Sequence, residues 1–265
     1  MSDSDRNGRV EERIRGSRKY ADIHPAVIRR QVEQLKGRFR SDKELGQAVR
    51  RKLHQAFGAY LEGNWLRKFK AGLKALEGAD ADSVRQTCRR LMQLHTSTRE
   101  RLGVLGDFCD FLDHTIPQGA TVLDVACGLN VLTFPAVEGS RTFRYIGVDL
   151  HEGMISQLRA FARAVGLDAE FVWADILSGD LPACDVALML KLLPCLGHQE
   201  DDSALRLVRD VNAEILIVSY PTRSIGGTDL GMANIYQRQI ERIASETGRN
   251  LERFDCLTES FYVLR

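Results

Sequence analysis

Two apolar runs that each end on an aspartate constrain this chain more than any other feature. Thr121-Val-Leu-Asp-Val-Ala-Cys-Gly-Leu-Asn130 passes from a buried-strand pattern through an acid into a glycine turn, and Tyr145-Ile-Gly-Val-Asp149 ends on a second acid 25 residues after Asp124. A third run, Phe171-Val-Trp-Ala174, leads into Asp175. Strands that are apolar along their length belong to a parallel sheet covered by helices on both faces. The periodicity predicts a helix over 98–113, then strand 121–126, strand 144–149, helix 152–165, strand 170–174, strand 184–190, helix 203–211, strand 214–219 and helix 232–247. Two strands, 252–257 and 260–264, follow closely enough to pair as an antiparallel edge. Strands alternating with helices predict an α/β, doubly wound, Rossmann-like sheet.

In open sheets of this kind ligands gather at the carboxyl ends of the strands, which is where the three acids fall. Gly128 lets the backbone approach a ligand closely. The turn reads Ala126-Cys-Gly-Leu-Asn130 and lacks the GxGxxG spacing that cradles a pyrophosphate, which disfavours NAD and FAD. An adenosine joined to an amino acid has no such demand, so the expected cofactor is S-adenosyl-L-methionine. Asp124 then meets the ammonium group directly or through water. Asp149 accepts from the ribose hydroxyls, Asp175 accepts from the adenine amino group, and Leu150 and Ile176 sandwich the ring. Arg101, in the turn that opens with His95, matches a carboxylate in bidentate form. Ser97 or Thr98 is placed to cap the helix there. Leu190 ends the fourth strand, and Lys191 lies one step beyond it above the same crevice. No metal site is expected: the six cysteines, at 88, 109, 127, 184, 195 and 256, form no CxxC pair and read as reduced, mostly buried side chains.

The net charge of +1 conceals an asymmetry. Residues 1–95 hold 22 Lys and Arg against 12 Asp and Glu, a net of +10, and residues 96–265 a net of −9. Residues 1–18 read as a polar, frayed start. Apolar stripes then recur at helical spacing: Ile28, Val32, Leu35 and Phe39; Leu45, Val49, Leu53 and Phe57; Leu66, Phe69, Leu73 and Leu76; Val84, Cys88 and Leu91. These predict a small helical bundle with a basic exterior, a domain over 1–95 followed by the α/β domain over 96–265. Without aromatic interleaving or zinc-finger spacing, such a surface suits the phosphates of a structured RNA better than base reading. Lys19, Arg50, Arg51, Lys68 and Lys70 are the candidate contacts. No apolar run approaches membrane-spanning length and no signal-peptide core opens the chain, so a cytoplasmic monomer with no membrane or DNA partner is expected.

Four stretches carry a resemblance: His95-Thr-Ser-Thr-Arg-Glu-Arg-Leu102, Val122-Leu-Asp-Val-Ala-Cys-Gly-Leu-Asn130, Lys191-Leu-Leu-Pro194 and Ser219-Tyr-Pro-Thr-Arg-Ser-Ile-Gly-Gly227. With Ser17-Arg-Lys-Tyr20 and the Leu53–Tyr60 pattern, they resemble the aminoglycoside-resistance 16S rRNA methyltransferases that act on N7 of guanine 1405. The resemblance covers roughly residues 18–265. It implies a helical rRNA-docking domain on a class I S-adenosylmethionine-dependent methyltransferase domain, with the assembled 30S subunit as substrate. Helix 44 of 16S rRNA holds the target, and aminoglycoside resistance is the consequence. It maps cofactor contacts onto Arg101, Asp124, Gly128, Asp149 and Asp175, with His95, Ala126, Leu150, Ile176 and Leu190 as further candidate contacts around them. The Pro221-Thr-Arg-Ser224 stretch maps to the loop near the target guanine; Arg223 and Lys191 are the catalytic candidates, Arg223, Met232 and Tyr236 candidate RNA contacts, and Tyr220 or Tyr236 candidates to stack on a displaced base. The chain departs from the family in having Thr228-Asp-Leu230, where basic residues usually precede the Gly-Met pair. A methyltransferase acting on another rRNA nucleotide, or a 30S-binding protein with a degenerate methyltransferase fold, are the alternatives.

Overall fold

A computed structural model of the chain describes residues 3–55, 60–61, 63–138, 142–197, 202–222, 232–256 and 258–265. Three helices come first: α1 (Asp3–Arg15), α2 (Pro25–Leu35) and α3 (Asp42–Leu53). Pro25 opens α2 at a position where a missing N–H costs nothing. A capping box opens α3: the Ser41 hydroxyl accepts from the Glu44 amide while the Glu44 carboxylate accepts from the Ser41 amide. The predicted stripes of α2 and α3 face each other, and Val10, Ile14, Tyr20, Ile23, Val27, Ile28, Val32, Leu35, Leu45, Val49 and Leu53 form one buried cluster. The polar start expected over 1–18 is instead the helix α1, which buries Val10 and Ile14. Arg6 fixes it by donating to Asp42 and to the Phe39 carbonyl.

The next helices, α4 (Trp65–Ala75) and α5 (Ala81–Met92), pack elsewhere. Trp65, Phe69, Leu76, Cys88, Leu91 and Met92 belong to the core that covers one face of the sheet. Gly72 is required where the two helices meet, because a Cβ there would lie 2.6 Å from Leu91. The single helix predicted over 98–113 is two, α6 (Thr96–Arg101) and α7 (Leu105–Thr115), joined by a 3-10 turn over Leu102–Val104. Gly103 at its centre weakens helix continuity.

The sheet contains β1 (Thr121–Val125), β2 (Arg144–Asp149), β3 (Ala169–Trp173), β4 (Val186–Leu190), β5 (Ile215–Pro221), β6 (Leu251–Asp255) and β7 (Glu259–Leu264) in the order β3-β2-β1-β4-β5-β7-β6. The first five strands are parallel, and β7 lies antiparallel between β5 and β6. Helices α8 (Glu152–Val165), α9 (Leu193–Gly197), α10 (Ser203–Asp210) and α11 (Met232–Thr247) complete the layers. Side chains alternate across the strands: Val122, Tyr145, Leu188, Ile217 and Phe261 enter one core, and Leu123, Ile146, Met189, Val218 and Tyr262 the other. This is the class I methyltransferase sheet expected from the sequence. Among the described residues no helix is long and apolar enough to cross a membrane.

Candidate functional site

The carboxyl ends of β1 to β4 open into a cleft of about 840 Å³, its mouth included. Its floor is the turn after β1. Ala126 (φ 60°) and Gly128 (φ 50°) both adopt left-handed backbone, and a Cβ on Gly128 would stand 3.1 Å from the His95 ring. Glycine at 128 therefore leaves room for that imidazole and frees its amide to donate to Asp149 Oδ2 at 3.1 Å. The His151 amide donates to the other oxygen of Asp149, also at 3.1 Å. Burial raises the Asp149 carboxyl above the usual aspartate range, despite these two bonds. Leu150, Met154, Ala174, Ile176, Leu190 and Leu196 give the cleft apolar walls.

Of the expected cofactor residues, His95, Ala126, Gly128, Asp149, Leu150, Asp175, Ile176 and Leu190 line this cleft, together with Lys191. Arg101 and Asp124 are buried and are not among the lining residues. The Arg101 guanidinium donates from Nε and Nη2 to both Glu259 oxygens, at 2.9 and 3.0 Å, and from Nη1 to Asn130 at 2.8 Å. It also lies over the Phe108 ring. Asp124 Oδ2 accepts from the Tyr145 hydroxyl at 2.6 Å and from Asn130 Nδ2 at 2.7 Å. Neither Ser97 nor Thr98 caps α6, which begins after His95 without a side-chain cap. Thr98 instead donates to the Met92 and His95 carbonyls.

Lys191 is buried, with φ 55°, in a backbone region that non-glycine residues seldom occupy. Its amide donates to Ser219, and its ammonium donates to Glu100 at 2.6 Å and pairs with Glu259 at 3.4 Å. Ser219 donates to Glu259 as well, at 2.6 Å. Burial alone would raise the Glu259 carboxyl, but the Arg101 and Lys191 charges and the hydrogen bonds from Arg101 and Ser219 hold it below the usual range. Glu259 is a functional residue that no motif in the sequence singles out. Its signal is an acid heading an otherwise apolar strand, Glu259-Ser-Phe-Tyr-Val-Leu264. His95 stacks on Tyr60 and is held neutral: burial, then the charges of Arg101, Lys191 and Arg99, lower its pKa to about 4. Its Nδ1 has no hydrogen-bond partner among the described residues. Tyr60 and Cys195, also unanticipated, meet across the cleft at 2.9 Å.

Asp124 yields a stability prediction. Burial pushes its carboxyl up to about 6, against the pull of Tyr145, Asn130 and Arg101. Between about 3.8 and about 6 the folded chain keeps a proton that the unfolded chain has released, so this group's contribution to stability falls as pH rises through that window. Above it the ionised carboxylate costs about 2–3 kcal/mol. Asp124→Asn keeps an oxygen for Tyr145 and Asn130 without the charge. Its melting midpoint is expected to exceed the parent's at pH 8 and to converge on it near pH 4; a lower midpoint at pH 8 would contradict the assignment.

The candidate RNA contacts fall in two groups. Lys19 and the end of α3 come together, with Lys19 Nζ 3.5 Å from His54 Nδ1 and the Tyr20 hydroxyl donating to the Arg50 carbonyl. Arg51 is exposed beside them, and Lys68 and Lys70 are exposed on α4. Arg223 and the departure at 228–230 lie outside the described residues, as does Phe57. Met232 and Tyr236 open α11 next to that segment. Tyr220 is buried, bonds Gln239 and stacks on Tyr236 at 4.7 Å, so its ring packs the core and is not available to a base.

Comparison with known proteins agrees with this geometry. Residues 16–263 match the family described as "Ribosomal RNA methyltransferase (FmrO)". A 16S rRNA (guanine(1405)-N(7))-methyltransferase of Micromonospora echinospora is 32% identical, covering 98% of this chain and 97% of its own. One from Serratia marcescens is 35% identical over 86% of each chain. The crystal structure of 16S rRNA methyltransferase RmtF with S-adenosyl-L-homocysteine superposes with a TM-score of 0.87 at 30% identity, covering 100% of this chain and 99% of that one. The chain belongs to the FmrO family of 16S rRNA (guanine-1405-N7) methyltransferases.

Proposed function

We propose that the chain transfers a methyl group from S-adenosylmethionine to N7 of guanine 1405 in helix 44 of 16S rRNA, on the assembled 30S subunit, and so confers aminoglycoside resistance. The observation that carries this reading is the gathering of Gly128, Asp149 and Asp175 in one cleft at the strand ends of a chain of this family.

The cleft fits such a cofactor. Asp149 keeps oxygen lone pairs beyond those used by Gly128 and His151 and suits a ribose diol. Leu150 and Ile176 offer apolar walls for a purine, and Asp175 an acceptor for its amino group. His95 and the left-handed turn at Ala126 and Gly128 shape the opposite end, with Asp124 and Arg101 bracing that turn through Asn130. When bound, S-adenosylmethionine supplies a sulfonium methyl group to a nucleophile.

Guanine N7 carries a lone pair and no proton, so the protein needs alignment and electrostatics and no general base. Lys191, fixed by Glu100 and Glu259 at the cleft, places a cation at that mouth. Arg223 is assigned to the same mouth on the family resemblance. Extruding the base from helix 44 costs about a few kcal/mol, which contacts along the basic helices and at Met232 and Tyr236 are there to offset.

The direct test is tritium transfer from S-adenosylmethionine to purified 30S subunits, followed by borohydride–aniline cleavage and reverse transcription. A stop at 1405 is the expected result. Transfer mapped elsewhere would replace the target, and cofactor binding without transfer would favour a degenerate methyltransferase. A second test addresses docking. Lys68→Glu with Lys70→Glu is expected to lower 30S affinity about tenfold or more at fixed salt, because each reversal replaces a phosphate contact with a repulsion. Calorimetric affinity for S-adenosylhomocysteine should not change. Equal 30S affinity would remove α4 from the interface.

A further inference from the structure

The helical unit α1–α3 does more than sit beside the cleft. Residues 22–24 form a short strap on the chain that leaves β2. Ile23 bridges to His151, the His24 amide donates to the Leu150 carbonyl at 2.8 Å, and the Glu152 amide donates to the Asp22 carbonyl at 2.8 Å. The Trp173 indole donates to the same Leu150 carbonyl, and its ring meets His24 edge-on. A Cβ on Gly153 would lie 2.8 Å from the Asp22 carboxylate, which shows how closely the strap is seated. Leu150, a wall of the cleft, packs on the core of the helical unit.

From α2, just beyond the strap, Arg30 reaches into the cleft. Its Nε donates to Asp175 Oδ2 at 3.1 Å and its Nη2 to Oδ1 at 3.0 Å, a bidentate pair spanning 145 residues of sequence. The Leu177 amide adds a third donor to Oδ1. Arg30 is 15% and Asp175 2% exposed, so the pair is shielded from water. Three donors fix the plane of this carboxylate: Oδ1 accepts two of them, and Oδ2, which accepts one, keeps a lone pair for a ligand. A planar guanidinium does this where an ammonium would leave the carboxylate free to rotate.

We propose that Arg30 is a positioning residue of the cofactor site: it locks the Asp175 carboxylate in the orientation that accepts the adenine amino group, so the helical unit itself completes the adenine pocket. This rests on the reading of the cleft as an S-adenosylmethionine site. Arg30 thereby sets selectivity for a 6-amino purine over a 6-oxo purine, as a positioned buried acceptor discriminates against a ligand that lacks its donor.

The test is calorimetry with two ligands, S-adenosylhomocysteine and S-inosylhomocysteine, in which oxygen replaces the adenine amino group. The parent chain is expected to prefer the adenine ligand. In Arg30→Ala its affinity for S-adenosylhomocysteine should fall about tenfold while that for the inosine analogue changes little, so that the preference collapses. Arg30→Lys, which keeps the charge and is less prone to misfold, should lose part of the preference. A preference unchanged in both variants would overturn the proposal. So would an equal loss of both ligands, which is the mark of a role in stability alone. If the parent binds neither ligand, the cofactor reading itself fails, and the proposal with it.

Discussion

Glu259→Ala is expected to destabilise the fold by about 3–5 kcal/mol, because it strips the counter-ion from two buried cations. Arg101 and Lys191 both pair with this carboxylate, and Glu259 and Arg101 are almost wholly shielded from water. After the substitution, among the described residues, the Arg101 guanidinium retains Asn130 as its hydrogen-bonding partner and the Lys191 ammonium the half-exposed Glu100. For a chain of 265 residues the melting midpoint should drop by roughly 10 °C. The pH dependence supplies an independent signature. The native carboxyl lies below the ordinary value of 4.5, so on acidification the unfolded chain takes up this proton first. The contribution is complete above about 4.5 and is lost as pH falls through the native value. Urea titrations should show this acid-side loss in the parent and not in the variant. A midpoint within about 2 °C of the parent would mean that the ion cluster is not supporting the fold.

Asp149→Ala should all but abolish cofactor binding. Its carboxylate is the acceptor assigned to the ribose diol, and two hydrogen bonds to a charged group at about 1.5–3 kcal/mol each correspond to a loss of roughly a hundredfold or more. Asp149→Asn, with a single suitable oxygen, should fall between variant and parent. Burial holds this carboxyl above the usual range, and hydroxyl donors favour its ionised form. Affinity for S-adenosylhomocysteine should therefore weaken as the solution is acidified into the range where Asp149 takes a proton. Calorimetry on the parent and both variants checks this. An alanine variant that binds with parental affinity would move the ribose site elsewhere in the cleft.

The sheet was legible because its signals are local. Runs such as Thr121–Val125 and Arg144–Asp149 are apolar through their centres, and their acids mark the carboxyl ends where ligands bind. Helix α1 was not legible, because among its described side chains Val10 and Ile14 are the buried ones and two positions make no stripe. Helix α9, five residues long, is too short for periodicity to register. The break over Leu102–Val104 was hidden because apolar spacing continues through it. At the site, sequence identified the strand-end residues that line the cleft but missed Arg30, Tyr60 and Cys195 on its other walls, and gave no sign of what braces them. Arg101 with Glu259 and Arg30 with Asp175 are partnerships across 158 and 145 residues, and no local pattern encodes which distant carboxylate an arginine will meet. The same blindness explains Asp124, whose visible strand-end position gives no hint that Tyr145 and Asn130 already occupy one of its oxygens.

The placement of Glu259 also bears on the order in which the chain assembles. Synthesis delivers Arg101 and Lys191 well before the carboxylate that neutralises them, which follows Arg101 by 158 residues. Until β7 pairs between β5 and β6, Arg101 lacks the carboxylate it meets in the folded chain and Lys191 has the half-exposed Glu100 alone among the described residues, and burying the pair is unfavourable. Burial of Arg101 and the pairing of β7 are thereby coupled into one event, because the strand that completes the sheet also brings the charge that lets the cation leave water.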